Sequence, residues 1–127
     1  MRSDGFTLLE VMFATTILAI GMLALATMQL TAIRANAFGN EMTVATCLAQ
    51  TQLERMQSVH DVTTLSSGGE AGPIDLKENP RGIFNRFWTV GAGPTADSRR
   101  VSVTVTWSTG LGDHRVRLET MTRGSGE

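Results

Sequence analysis

One cysteine, two histidines and no tyrosine occur among the 127 residues. Cys47 alone cannot close an intrachain disulfide. His60 and His114 are far apart in sequence, which leaves a metal site or a nucleophile–histidine pair almost no raw material. No catalytic, cofactor-binding or metal-ligating residue is therefore expected, and His60 beside Asp61 is too thin a cluster to carry chemistry. Excess charge of one sign is missing too. The formal net charge is −1, and Arg2 and Asp4 cancel, so losing the first five residues would not change it. That balance argues against a nucleic-acid surface. Arg99-Arg100 with Arg115 and Arg117 is the one basic candidate, and it reads as a solvated strand edge. No proline interrupts 6–59. The length leaves room for one membrane helix and one small domain.

What is present begins with a charge-free stretch, 11–33, directly after Glu10. At about 1.5 Å per residue it makes roughly 35 Å of helix, enough to cross a hydrocarbon core of about 30 Å. Glu10 then lies at the start of that helix, in or near the membrane, where an ionisable group is costly and usually has a function. A short polar leader, Met1-Arg2-Ser3-Asp4-Gly5, precedes it. An ordinary secretory signal peptide is the competing interpretation, because Ala24-Leu25-Ala26 and Ala35-Asn36-Ala37 have small-x-small spacing. Three features oppose it: a weakly positive leader, a carboxylate before the apolar run, and a run longer than the typical signal core of about 7–15 residues.

The stretch 6–59 reads as one helix of about 80 Å. After Ile33 it turns from uniformly apolar to amphipathic. Phe38, Met42, Ala45, Ala49, Leu53 and Met56 fall on one face, with Glu41, Gln50, Glu54, Arg55 and Gln57 around it. The expectation is a membrane-spanning half, 6–33, and an aqueous amphipathic half, 34–60, packed on a small sheet. Gly39-Asn40 is the expected soft spot, since an interior glycine costs about 1 kcal/mol relative to alanine; Gly21 is tolerable in a membrane helix. Thr27, Thr31, Ala35 and Gly39 repeat every four residues, as small-residue packing seams do. Cys47 is expected to be a small buried residue.

Residues 61–82 are rich in serine, glycine and aspartate and form a turn-laden connection, with room for a short strand near 74–76. The segment 83–123 is β. Residues 83–90 are apolar and aromatic, and 91–94 mark a loop. Val101, Val103, Val105 and Trp107 alternate with Ser102, Thr104, Thr106 and Ser108, the cleanest period of two in the chain. After a loop at 109–113, Val116 and Leu118 face one way and Arg115, Arg117 and Glu119 the other. The fold class is α+β: a long N-terminal helix packed on an antiparallel sheet of three or four strands, a three-stranded meander being the economical solution. Trp88 and Trp107 are expected to fill the core, Trp107 most firmly. Residues 124–127 are expected to fray.

Gly5-Phe6-Thr7-Leu8-Leu9-Glu10 resembles the type IV prepilin signature. The resemblance implies that a prepilin peptidase cleaves between Gly5 and Phe6 and methylates the new amine of Phe6, and that Glu10 pairs with the amine of a neighbouring subunit. Both parts have a physical basis: Gly5 leaves the backbone unhindered, and pairing satisfies two charges that would otherwise stand alone in lipid. The run 18–29 looks like the membrane segment of PilV-type minor pilins. Residues 48–55, 86–90 and 100–107 resemble the periplasmic helix and C-terminal strands of the same group. Major pilins usually carry a proline where this chain has Thr27, and often a C-terminal disulfide loop that one cysteine cannot make; both absences fit a minor subunit.

The resemblance implies a type IV pilin-like fold and a role in pilus assembly, in an initiating or tip complex. It implies as partners other minor pilins, the major pilin, the peptidase, an inner-membrane platform and, before assembly, membrane lipid. The location implied is the bacterial inner membrane, leader in the cytoplasm and C-terminal domain in the periplasm, and then the pilus. A minor pseudopilin of a type II secretion system shares these features. A membrane-anchored adhesion domain exposing Trp88 or Trp107 is the alternative of a different class.

Overall fold

The computed structural model describes residues 5–110 and 112–123. The expectations for the leader residues Met1 to Asp4 and for the tail 124–127 lie outside the described residues. Helix α1, Leu8–Gln57, starts two residues later and ends two residues earlier than the apolar pattern predicts. At its end the Ser58 N–H donates to the Glu54 carbonyl at 2.9 Å and the Ser58 hydroxyl to the Arg55 carbonyl at 2.8 Å. These bonds satisfy carbonyls that would otherwise be orphaned there. Four strands follow in chain order: β1 Gly68–Gly69, β2 Asn85–Ala92, β3 Ser98–Thr109 and β4 Gly112–Arg123. The chain divides into two units, Met1–Gly39 and Asn40–Glu127. The boundary coincides with the Gly39-Asn40 step, through which α1 remains helical.

In the first unit, large apolar side chains such as Leu9, Phe13, Ile17, Leu23 and Met28 are exposed all round the helix. A helix apolar on every side needs a surrounding other than water, and α1 is long and apolar enough to cross a membrane. Its threonines fit that setting. Thr15, Thr16, Thr27 and Thr31 donate their hydroxyls to carbonyls three or four residues back, at 2.7–3.0 Å. Each hydroxyl is therefore satisfied without water.

The second unit is a helix-on-sheet sandwich. The sheet is an antiparallel meander in the order β1-β2-β3-β4. Val101, Val103, Val105 and Trp107 turn toward the helix and are buried, as their alternation predicts. Trp88 pairs in register with Val103, and Val103 with Leu118, so the three share that inner face. From α1, Ala45, Leu48, Ala49, Gln52 and Met56 are buried. This face differs from the expected one: Leu53 is half-buried, Phe38 is exposed, and Leu48 and Gln52 take core positions. Phe38 is in phase with Ala45, within about 20°, but belongs to the first unit; for the others the cause is helical phase. At about 100° per residue, Leu48, Gln52 and Met56 stay within about 60° of Ala45, whereas Leu53 drifts to about 80°. Cys47 lies about 200° from Ala45 and is exposed, which corrects the expectation of burial.

The sheet also departs from the sequence reading at its edges. The fourth strand is the Gly-Gly pair β1, and Ile74 makes only isolated bridges to Pro80 and Phe84 in place of the short strand considered there. A Cβ on Gly68 would stand 3.1 Å from the Trp88 ring, so the indole leaves room for little more than backbone. Strand β2 runs through Gly91 and Ala92, residues assigned above to a loop.

Candidate functional site at the helix start

Gly5, Phe6 and Thr7 precede α1 without regular structure. Thr7 is a cap in both senses. Its hydroxyl oxygen accepts the Glu10 N–H at 3.3 Å, and its carbonyl accepts the Val11 N–H at 3.2 Å. Threonine with a glutamate three residues on is the capping-box pattern, which fixes where a helix begins. Only the threonine half of the box is formed. Among the described residues the Glu10 carboxylate has no hydrogen-bond or ion-pair partner, so it is free for another one. Phe6, Glu10, Ala14 and Leu18 step by four and, with Val11 and Thr15, line one shallow groove along the helix. The site thus consists of an exposed Phe6, a glycine before it, and one carboxylate in an apolar groove beside the positive end of the helix dipole.

Residues 1–26 match the prokaryotic N-terminal methylation motif. That match supports a type IV prepilin-like protein, of pilin or pseudopilin kind. The motif implies processing by prepilin peptidase and assembly with pilins, and its family is structural rather than catalytic. The N-terminal apolar helix and the motif together fit a membrane-anchored pilin. The match spans the processing block and the first part of α1, not the sheet. No curated protein and no solved structure gives a match to the chain.

The other residues considered from sequence are dispersed. Asp61 caps the 3-10 turn Val62–Thr64, accepting from the Thr63 N–H at 2.9 Å and the Thr63 hydroxyl at 2.6 Å. Those two bonds hold its carboxyl below the usual range, and they give Asp61 a structural duty. Of the arginines, Arg100 and Arg117 flank Glu119 at 3.3 and 3.5 Å, and Arg99 donates to the Ala96 and Ser98 carbonyls at 2.9 Å. Trp107 is buried and its indole N–H donates to Glu41 at 3.0 Å. The Trp88 N–H donates to the Ser66 carbonyl at 3.1 Å. Trp107 thus belongs to the core, whereas Trp88 is half-buried and packs against it, short of the full burial expected for both.

One side chain escaped sequence reading. Arg86 sits on the inner face of β2 with its side chain 1% exposed. It donates to the Leu48 carbonyl at 3.1 Å, to Glu78 at 2.7 Å and to Glu70 at 2.5 Å, while its Nε has no partner. Glu78 also receives Arg55 at 2.5 Å. The Arg55 guanidinium, and then Arg86, hold the Glu78 carboxyl below its usual range. Glu78 is delivered by a left-handed backbone, φ 62°. The loop around it is tied by Asp75, whose carboxylate accepts the Lys77 and Asn79 N–H groups at 2.8 and 2.9 Å. The signal was available: Phe84, Arg86, Trp88 and Val90 share one parity, so a charge on that face needed acids from elsewhere.

Proposed function

We propose that this chain is a minor pilin subunit of type IV pilus assembly, acting in the initiating or tip complex and performing no catalysis. The single observation that carries the proposal is the Gly5–Phe6 junction one turn before an unpartnered Glu10, at the head of a charge-free helix. Prepilin peptidase cuts after Gly5 and methylates Phe6. The new cationic amine then lies four residues before Glu10, and in a filament each amine pairs with a neighbour's carboxylate. The first half of α1 spans the inner membrane with the leader in the cytoplasm, and the sheet unit lies in the periplasm until extraction into the pilus. Thr27 in place of a helix proline, and the single cysteine, favour a minor over a major subunit. The partners are other minor pilins, the major pilin and the inner-membrane platform.

Mass spectrometry of membrane and sheared-filament fractions tests this directly. A chain starting at methylated Phe6 and present in sheared filaments supports a pilus subunit. The same terminus without filament incorporation supports a minor pseudopilin, and a chain starting at Met1, Thr27 or Phe38 overturns assembly altogether. Glu10→Ala should leave the cut intact and lower incorporation at least tenfold; unchanged piliation would remove Glu10 from docking.

A further inference from the structure

We infer that Thr7 is the positioning residue for the cut: its cap sets the first helical residue at Leu8 and so holds the Gly5–Phe6 peptide outside the helix. The inference rests on the prepilin reading above. The sequence carries three residues of preferred N-cap type before the helix, Ser3, Asp4 and Thr7, and only Thr7 has a glutamate three positions on. The choice between Thr7 and the earlier caps, Asp4 being the nearer, decides the state of the scissile bond. With Asp4 as cap, Gly5 and Phe6 would be the first two helical residues, and the Gly5 carbonyl would accept the Leu9 N–H. With Thr7 as cap, as here, Thr7 offers the most N-terminal carbonyl that α1 engages among the described residues.

Hydrolysis makes that difference matter. Water adds its hydroxyl to the Gly5 carbonyl carbon, the C–N bond to Phe6 breaks, and the remaining proton goes to the Phe6 nitrogen. A carbonyl locked in a helical turn is hemmed in on the side that must be attacked, whereas an extended one is open. Gly5 adds an independent observation. Among the described residues no atom lies within 4 Å of where its Cβ would be, so nothing in the described packing requires a glycine. The missing side chain is a feature for an outside reader, and Phe6, 82% exposed, is presented beside it.

The test uses the full-length chain in detergent micelles with purified prepilin peptidase. Thr7→Val keeps the side-chain shape and removes the accepting oxygen; Thr7→Ser keeps the oxygen. A cap is worth about a fivefold change in an equilibrium, so T7V should be cut more slowly, by up to about fivefold, and T7S at the wild-type rate. In T7V the Leu9 amide should gain protection from hydrogen exchange as the helix start moves back toward Asp4. Cleavage of T7V at the wild-type rate overturns the inference. So does slow cleavage without added protection, because the hydroxyl would then be read by the peptidase itself. A wild-type chain left uncut would overturn the prepilin reading and the inference with it.

Discussion

Replacing Arg86 with methionine is the most demanding perturbation of the sheet unit. The guanidinium joins three pieces of chain: β2, the helix through the Leu48 carbonyl, and the connecting segment through Glu70 and Glu78. Methionine fills similar apolar volume but leaves two carboxylates facing a buried site. Removing one partner of a buried pair costs about 3–5 kcal/mol, chiefly because the other charge is left uncompensated. Here the lower end applies, about 3 kcal/mol, since the Glu70 and Glu78 side chains are 31% and 26% exposed and can turn toward water. Glu78 also keeps Arg55. Lysine should recover little, because one ammonium cannot reach three acceptors as a planar fork does. R86M combined with Glu70→Gln and Glu78→Gln should recover much of the loss, since no carboxylate then faces the buried site and the Arg55 left behind is half exposed to water. Urea titration followed by tryptophan fluorescence reads this unit alone, because Trp88 and Trp107 are the only tryptophans and both belong to it. A loss below about 1 kcal/mol for R86M, in the range of a surface pair, would refute the assignment of Arg86 as the clasp between helix, sheet and connection.

Acid should weaken the same unit. Glu78 is held below its usual range by Arg55 and then Arg86, Asp61 by Thr63, and Asp75 by Asn79. Carboxyls lowered in the folded state stabilise it above their unfolded pKa of about 4, and that contribution disappears as pH falls through the folded values. The urea midpoint should therefore drop between about pH 6 and about pH 3, and more shallowly in E78Q. Gly82→Ala should destabilise the unit by about 2 kcal/mol or more, because the new Cβ would overlap the Ile74 carbonyl and force the Ile74–Phe84 bridge apart. The same change at Gly21, where no atom approaches, should leave helix content by circular dichroism unchanged. Cys47 should react with a maleimide in the native state, and Cys47→Ser should shift the urea midpoint by no more than a surface substitution does, within about 0.5 kcal/mol.

Periodicity made the large elements legible. An uncharged helix before residue 34 and the Val101-to-Trp107 alternation each state one physical demand, a water-free surrounding and a one-sided core; the structure builds the core against α1 and leaves the apolar half of the helix exposed on every side. Features that depend on two distant segments were not legible. Gly68-Gly69 carries no β pattern; it becomes a strand because the Trp88 indole lies against it. Arg86 reads as one polar position in an aromatic strand until Glu70 and Glu78 arrive from the connection. Leu48 and Gln52 join the core because helical phase, not residue type, sets the buried stripe, and Cys47 is exposed for the same reason. At the helix start, the Gly5–Glu10 block was legible as a motif, while the capping role of Thr7 emerged from hydrogen bonds that a family pattern does not specify.

The placement of satisfied and unsatisfied acids separates the two units by task. In the sheet unit, the carboxylates that structure depends on are answered within the chain: Glu41 by Trp107, Asp61 by Thr63, Glu70 and Glu78 by arginines, Asp75 by its own loop. An unpaired acid there, such as Glu54, is exposed to water and needs nothing more. Glu10 is different under the membrane-spanning reading, since the groove it shares with Phe6, Ala14 and Leu18 is apolar and lipid offers no hydrogen-bond donor. The Thr7 cap occupies the Glu10 backbone N–H and leaves its carboxylate unanswered. The chain's unmet demand for a cation is therefore concentrated one turn from the residue where a cut would create one. Within a single subunit the Thr7 cap keeps Phe6 outside the first turn, so the side-by-side geometry of a continuous helix is not built in. Under the proposed docking, a neighbour's amine would meet the demand without unwinding the cap, which is why incorporation, rather than folding or cleavage, is the step that Glu10→Ala should impair.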